Sequence, residues 1–365
     1  MGRRVALILV LCGAVAGGST APPLAAPLAA AAPTPVQVYG AWHCSNDYCT
    51  WGAVRSVADF DATNHWLVDR GDGRPSVNLV VLSFVHPLKL LDGTTDATTT
   101  NGVPKGMTPE IVQYFTSRGV RVMVSIGGIT YTSAWNQALA KDPALLGRQA
   151  AALATRFGVG VEIDYEENRS PNLAGLQAFI DAYRAVHPYD AAGVDPAARL
   201  TIDLAAGDRW LIALTRKATA DWLRTDLPVL DYANAMVPAK QPSTSAAIAN
   251  WQEHIDGKPQ YAPPIPPLAP TKLTGSVYVA EGSKVRPECN AFASSLQKST
   301  GSYVQTVASK VAGGSPGMLG WMFWAAEKPA VRGVGTQPPN TCEGGVGVGA
   351  TTYVVPIPMP ALRQQ

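Results

Sequence analysis

The chain has 365 residues, 47% of them hydrophobic and 15% charged, with 29 basic and 27 acidic side chains. That length supports a large core and one or two domains. The near-neutral balance, with no Lys/Arg run, excludes a surface built for nucleic acid.

Arg3 and Arg4 precede an apolar stretch over 5–16 that is too short to span a bilayer, the pattern of an export signal. With the Ala- and Pro-rich sequence behind it, residues 1–32 are expected to be removed. Their loss takes away two arginines and no acid, leaving 27 residues of each sign. No later stretch is long and apolar enough for a membrane helix, so a secreted monomer without membrane contact is expected. Four cysteines remain: Cys44, Cys49, Cys289 and Cys342. An even number in an exported chain points to disulfides. Of the three pairings, Cys44–Cys49 with Cys289–Cys342 is expected. The spacings do not suit a zinc site and the histidines are scattered, so no metal or other cofactor is expected.

From residue 36 onward strands and helices alternate. Residues 36–43 read as a strand, and 77–86 as a second, a nearly continuous apolar run of the kind buried on both faces. Thr108-Pro109-Glu110 opens a helix, with Thr as N-cap and Pro at the first position, and Gly119 closes it. Residues 120–126 form strand three, finishing in Gly127-Gly128. Asp142-Pro143 starts a helix in which Leu146, Ala150, Leu153 and Phe157 recur at spacings of three and four. Strand four covers 159–166. Leu173, Leu176, Ile180 and Tyr183 mark the next helix, and strands five and six cover 200–205 and 230–237. A short helix around Ile248, Trp251 and Ile255 precedes a stiff Pro-rich loop over 259–270. Strand seven covers 276–280, a helix 304–311, and strand eight 318–325. Eight strands alternating with helices predict an α/β fold, a closed (β/α)8 TIM barrel over 33–335, with an extension over 336–365.

Strand four carries the chemistry. In Val159-Gly160-Val161-Glu162-Ile163-Asp164-Tyr165-Glu166, a period of two sets the three acids on one face and Val161, Ile163 and Tyr165 on the other. Carboxyls crowded in this way raise at least one pKa. A protonated carboxyl beside an ionised one is what cleavage of a glycosidic bond requires. Glu166 closes the strand, at the barrel end where active sites sit. Tyr39, Trp42 and Phe84 either line the cleft or fill the barrel. Asp203 either joins the carboxyls or caps a helix. Glu281 and Glu327 are rim acids, as sugar ligands or merely solvated. His43 and His86 end strands without a nucleophile or base beside them and read as structural.

On these residues the chain resembles the family-18 glycoside hydrolases, the chitinases and endo-β-N-acetylglucosaminidases. Ser125-Ile126-Gly127-Gly128 matches that family's SxGG. Residues 159–166 stand in the place of its DxxDxDxE signature, and 318–325, with Trp321 and Trp324, is similar to its tryptophan-bearing eighth strand. The resemblance implies Glu166 as the catalytic acid and Asp164 as the group that grips the N–H of the sugar's 2-acetamido group. It implies Glu162 as the acid sharing protons with Asp164, and Trp324 as the subsite floor. The implied substrate is an oligo- or polysaccharide of β-1,4-linked N-acetylglucosamine, cleaved with retention by the substrate's own acetamido group. The chain departs from the pattern in three places. Val159 and Glu162 replace the first two aspartates, and Pro238-Ala239 follows Met236 where the family has Tyr-Asp. Gln241 and Tyr278 are candidates for the donor lost with that tyrosine. The alternative that this loss favours is a non-catalytic carbohydrate-binding barrel.

Overall fold

A computed structural model describes residues 37–45, 49–69, 73, 75–205, 210–236, 244–278 and 296–327. The expected signal (1–32), the C-terminal extension (336–365), Pro238, Ala239, Gln241, Glu281, Cys289 and Cys342 lie outside the described residues.

The strands are β1 (Val38–Cys44), β2 (Leu79–Val85), β3 (Thr99–Thr100), β4 (Val103–Pro104), β5 (Arg121–Gly127), β6 (Gly160–Asp164), β7 (Leu200–Ala205), β8 (Ala233–Met236), β9 (Leu273–Tyr278) and β10 (Gly320–Ala326). All but β3 and β4 form one closed barrel in the order β1-β2-β5-β6-β7-β8-β9-β10, every pair parallel. This is the (β/α)8 TIM barrel that the alternation of elements implies. β3 and β4 make a small antiparallel hairpin outside it. Among the described residues no helix is long and apolar enough to cross a membrane.

The helices begin where local chemistry permits. Thr108 accepts from the Ile111 amide to cap α3 (Pro109–Thr116), after α1 (Val57–Val68) and α2 (Pro87–Asp92). α4 (Thr132–Lys141) leads into α5 (Pro143–Phe157), capped by Asp142 on the Leu145 amide at 2.8 Å. Asn172 caps α6 (Leu173–Val186), and α7 (Ile212–Lys217), α8 (Thr244–Asp256) and α9 (Leu296–Thr306) follow. The last of these corrects the expected helix over 304–311. Val304 and Val307 are buried, but the helix ends between them, so their apolar spacing marks a packed turn as well as a helix face.

Strand residues alternate between two cores. Val80, Leu82, Val124, Ile126, Val161, Ile163, Ile202 and Leu204 face the helices and are fully or almost fully buried. Each such side chain contributes about 1.5–3 kcal/mol by leaving water. Inside the barrel, Val38, Leu79, Val81, Met123, Tyr232, Leu319 and Met322 form an apolar plug. Toward the C-terminal ends of the strands the interior becomes polar, with Ser125, Glu162, Asp164, Thr201, Asp203, Asn234, Thr274 and Ser276 all buried.

Candidate active site

The polar interior is assembled from strands far apart in sequence. Glu162 on β6 accepts from Trp42 Nε1 of β1 at 2.9 Å and from Asn234 Nδ2 of β8 at 2.6 Å. The Asn234 carbonyl in turn accepts from Thr274 Oγ1 of β9 at 2.6 Å, which fixes the amide's orientation. Both oxygens of Glu162 thus receive N–H donors, an arrangement that favours the ionised form. Burial works against it and raises Glu162 from the ordinary carboxylate range.

Asp203 lies on the inward face of β7, beside Asn234 in the barrel register, and is 2% exposed. Burial, then the charges of Glu162 and Asp164, push its carboxyl well up. It therefore joins the carboxyl cluster and does not cap a helix. Asp164, 4% exposed, is raised in the same way by burial and then by Glu166 and Glu162. Its Oδ1 is buried with no hydrogen-bond partner. Like charges packed this closely oppose one another's ionisation, so the cluster holds its protons more tightly than isolated carboxyls do.

β6 stops at Asp164, so Glu166 is held by the loop beyond it and not by the strand. It is half-buried at the barrel mouth, where burial pushes it up to about 7 against the opposing effect of the Ile129 amide. That amide belongs to the turn following Gly127-Gly128. Both glycines have positive φ, +126° and +89°. A Cβ on Gly127 would meet the Asp164 carbonyl oxygen at 1.9 Å, and one on Gly128 would meet the Phe84 ring at 2.9 Å. Trp135 Nε1 and the Gly128 amide both donate to that carbonyl, at 3.1 and 3.0 Å. The glycine pair thereby lets β5 close over β6 directly beneath Glu166. Tyr165 points the other way, into the helix layer, with its hydroxyl on Asn136 and the Asn172 amide.

An aromatic group stands opposite. Trp324, half-buried on β10, stacks on Phe84 with centroids 5.9 Å apart and planes at 25°, and lies 6.1 Å from Trp42. Phe84 is 8% exposed and Trp42 3%. Trp42 is therefore placed beneath the cleft, its N–H committed to Glu162, and not on the cleft surface. Tyr39 faces the helices between Trp321 and Phe323 and takes no part. The Cys44–Cys49 disulfide closes the end of β1 and packs with Phe84, Ala325, Tyr131 and Trp324. Met236 ends β8, half-buried against the helix-side core. The backbone of Tyr278 pairs with that of Trp324, while its side chain lies outside the described residues.

Two rim groups differ from expectation. Glu327 is neither solvated nor open to a ligand. Burial opposes its charge, but Arg55, His43 and Thr63 together hold it below the ordinary range. Arg55 Nη2 donates to it at 2.7 Å, Thr63 at 2.7 Å and Asn64 at 3.0 Å, and His43 lies 3.4 Å away. His43, stacked on Phe60, completes this structural network, and His86 caps α2 by accepting from the Lys89 amide. The second is Trp210, 43% exposed beyond the end of β7, which the sequence reading passed over. The adjoining Leu211 amide donates to Asn168 of the Glu166 loop at 2.7 Å, so this indole is tied to the same rim. Among the described residues no group of His, Cys, Asp and Glu is placed to hold a metal ion.

No protein-family model matches the chain, and no curated protein matches it in sequence. Its fold does match solved structures. A GH18 chitinase from Pseudoalteromonas aurantia superposes with a TM-score of 0.51 at 15% identity, over 78% of this chain and 93% of that one. A chitinase from Rhizomucor miehei gives 0.47 at 15% identity, over 78% and 93% of the two chains. One from Aspergillus fumigatus gives 0.48 at 14%, over 78% and 90%. With the first of these superpositions and its closed barrel of eight parallel strands, the chain has a family-18 glycoside hydrolase-like fold.

Proposed function

We propose that the protein is a secreted, retaining glycosidase that hydrolyses β-1,4 linkages of N-acetylglucosamine, in chitin or the core of N-glycans. The observation that carries this reading is Glu166, a half-buried carboxyl at the barrel mouth pushed up to about 7. An acid so poised holds a proton near neutrality and can deliver it to a glycosidic oxygen. Asp164 lies below it with a buried, unpartnered oxygen suited to the N–H of a 2-acetamido group. The acetamido carbonyl then attacks the anomeric carbon as the leaving group departs with the Glu166 proton, giving an oxazolinium ion. Glu166, now ionised, takes a proton from the water that opens this ring, and the configuration is retained. Two carboxyls two residues apart on one side of the barrel do not suit attack from opposite faces of a sugar, which supports this exception to the two-carboxylate scheme. Glu162, with Asp203 beyond it, sets the proton affinity of Asp164. Trp324 offers its ring to the apolar face of the pyranose. The chitinases of similar fold support the substrate class, and the export pattern with the Cys44–Cys49 disulfide supports action outside the cytoplasm.

Fluorophore release from chitobiose and chitotriose conjugates tests the reading, with a high-mannose glycan and peptidoglycan as further substrates. Turnover on acetamido sugars that Glu166→Gln abolishes and a thiazoline blocks is the expected result. Turnover retained by Glu166→Gln removes the acid. Activity on sugars lacking the acetamido group, insensitive to the thiazoline, removes the mechanism. The Pro238-Ala239 replacement favours a second reading, a carbohydrate-binding protein without turnover, which saturable chitooligosaccharide binding with no product release would establish.

A further inference from the structure

The N-terminal end of the barrel, opposite the acidic cluster, holds a feature the proposed reaction does not use. Arg121 opens β5, and Arg199 immediately precedes β7. By strand alternation both share the inward face, Arg121 with Met123 and Ser125, Arg199 with Thr201 and Asp203. Between them on β6 stands Gly160, paired in register with Met123. A Cβ at position 160 would meet Arg199 Cβ, the Arg199 carbonyl oxygen and Met123 Cγ, each at 3.0 Å. Gly160 lines a cavity of about 230 Å³ together with both arginines, with Leu79 and Met123 also in its wall. Its outer lining includes the exposed residues Thr116, Gly158 and Pro196, so it communicates with solvent.

Arg199 is 3% exposed, yet its Nε and Nη1 are buried with no hydrogen-bond partner. A buried guanidinium with unmade hydrogen bonds is costly unless something supplies acceptors. The neighbouring acid does not. Asp231 is committed to Arg184 at 3.2 Å and to the Leu200 amide at 2.8 Å. Burial and the nearby charge of Arg199 push Arg121 down to about 10, the mark of two like charges held together in a partly dry space.

We propose that this cavity binds a small tetrahedral oxyanion of the phosphate or sulfate class, seated over Gly160 between Arg121 and Arg199. The anion supplies the acceptors that Arg199 lacks, in the paired geometry a guanidinium fork favours. A water occupies about 30 Å³ of liquid, so the cavity has room for one such anion and a few waters.

The full-length protein and inorganic phosphate test this. Calorimetric titration and thermal unfolding are run with phosphate and sulfate against chloride at matched ionic strength. The unmodified protein is compared with Arg199→Gln, Gly160→Ala and, as a control at the far end of the barrel, Glu166→Gln. Saturable binding that raises the unfolding temperature is expected. Arg199→Gln weakens it roughly tenfold or more, Gly160→Ala weakens it by filling the cradle, and Glu166→Gln leaves it unchanged. Without phosphate, Arg199→Gln melts no lower than the unmodified protein, because it removes a buried charge whose Nε and Nη1 lack partners. Phosphate that stabilises no more than chloride, or an effect that Arg199→Gln fully retains, overturns the proposal.

Discussion

Replacing Glu166 by glutamine probes the site without any knowledge of the substrate. The folded chain holds this carboxyl at about 7 against a reference of 4.5, chiefly through burial. The sign follows directly. Below pH 4.5 the group is protonated in both folded and unfolded chains and contributes nothing to pH dependence. Between 4.5 and about 7 the unfolded chain releases the proton while the folded chain keeps it, so stability falls as pH rises. Above about 7 the loss is complete and constant. At ~1.36 kcal/mol per pH unit it amounts to ~3 kcal/mol, an upper value because Glu166 is in part reached by solvent. Glutamine keeps the shape and removes the charge. Glu166→Gln is therefore expected to be more stable than the unmodified protein at pH 8 by up to ~3 kcal/mol, and indistinguishable from it at pH 4, while losing turnover. Urea unfolding at the two pH values measures this as a shift in midpoint at constant slope. An equal difference at both pH values would refute the claim that the acid is held protonated by its surroundings.

Further outcomes follow from the same geometry. kcat/KM is expected to fall about tenfold per pH unit above a limb near 7, because the acid must carry its proton; a pH–rate profile flat to pH 9 contradicts this. Asn234→Ala strips a donor from Glu162 and an acceptor from Thr274, and is expected to lower stability by ~1.5–3 kcal/mol. Adding Thr274→Val should recover part of that loss in a double-mutant cycle. Gly127→Ala, with its Cβ forced onto the Asp164 carbonyl, is expected to destabilise by on the order of 3 kcal/mol or more in thermal or urea unfolding. Trp324→Ala is expected to raise KM roughly tenfold with a smaller effect on kcat, whereas an unchanged KM would deny it a place in the sugar cleft.

The barrel was legible because strands and helices alternate along the chain, with a nearly continuous apolar run over 77–86 and helix starts marked by Thr108 and Asp142. α1 was missed because its buried face includes Asn64, which serves the Glu327 network and breaks the apolar rhythm. The acids on strand four were legible from their period, and Asp203 only as an even choice. Its fate depends on strands that meet it in space. Asn234 and Thr274 were invisible for a related reason. Each is an ordinary polar residue in an apolar strand, and each acquires meaning from a hydrogen bond spanning 72 or 40 residues. Glu327 was misplaced because its partners, Arg55, Thr63 and Asn64, lie more than 260 residues away.

The donors to Glu162 come from strands far apart in the sequence: an indole in the first strand and an amide in β8, the latter oriented by a threonine in β9. A nascent chain that has emerged only as far as residue 230 already contains Glu162, Asp164, Asp203 and the Trp42 indole, yet lacks the Asn234 amide and the Thr274 hydroxyl that orients it. The full set of hydrogen bonds around Glu162 therefore forms only once β8 and β9 have joined the ring of strands.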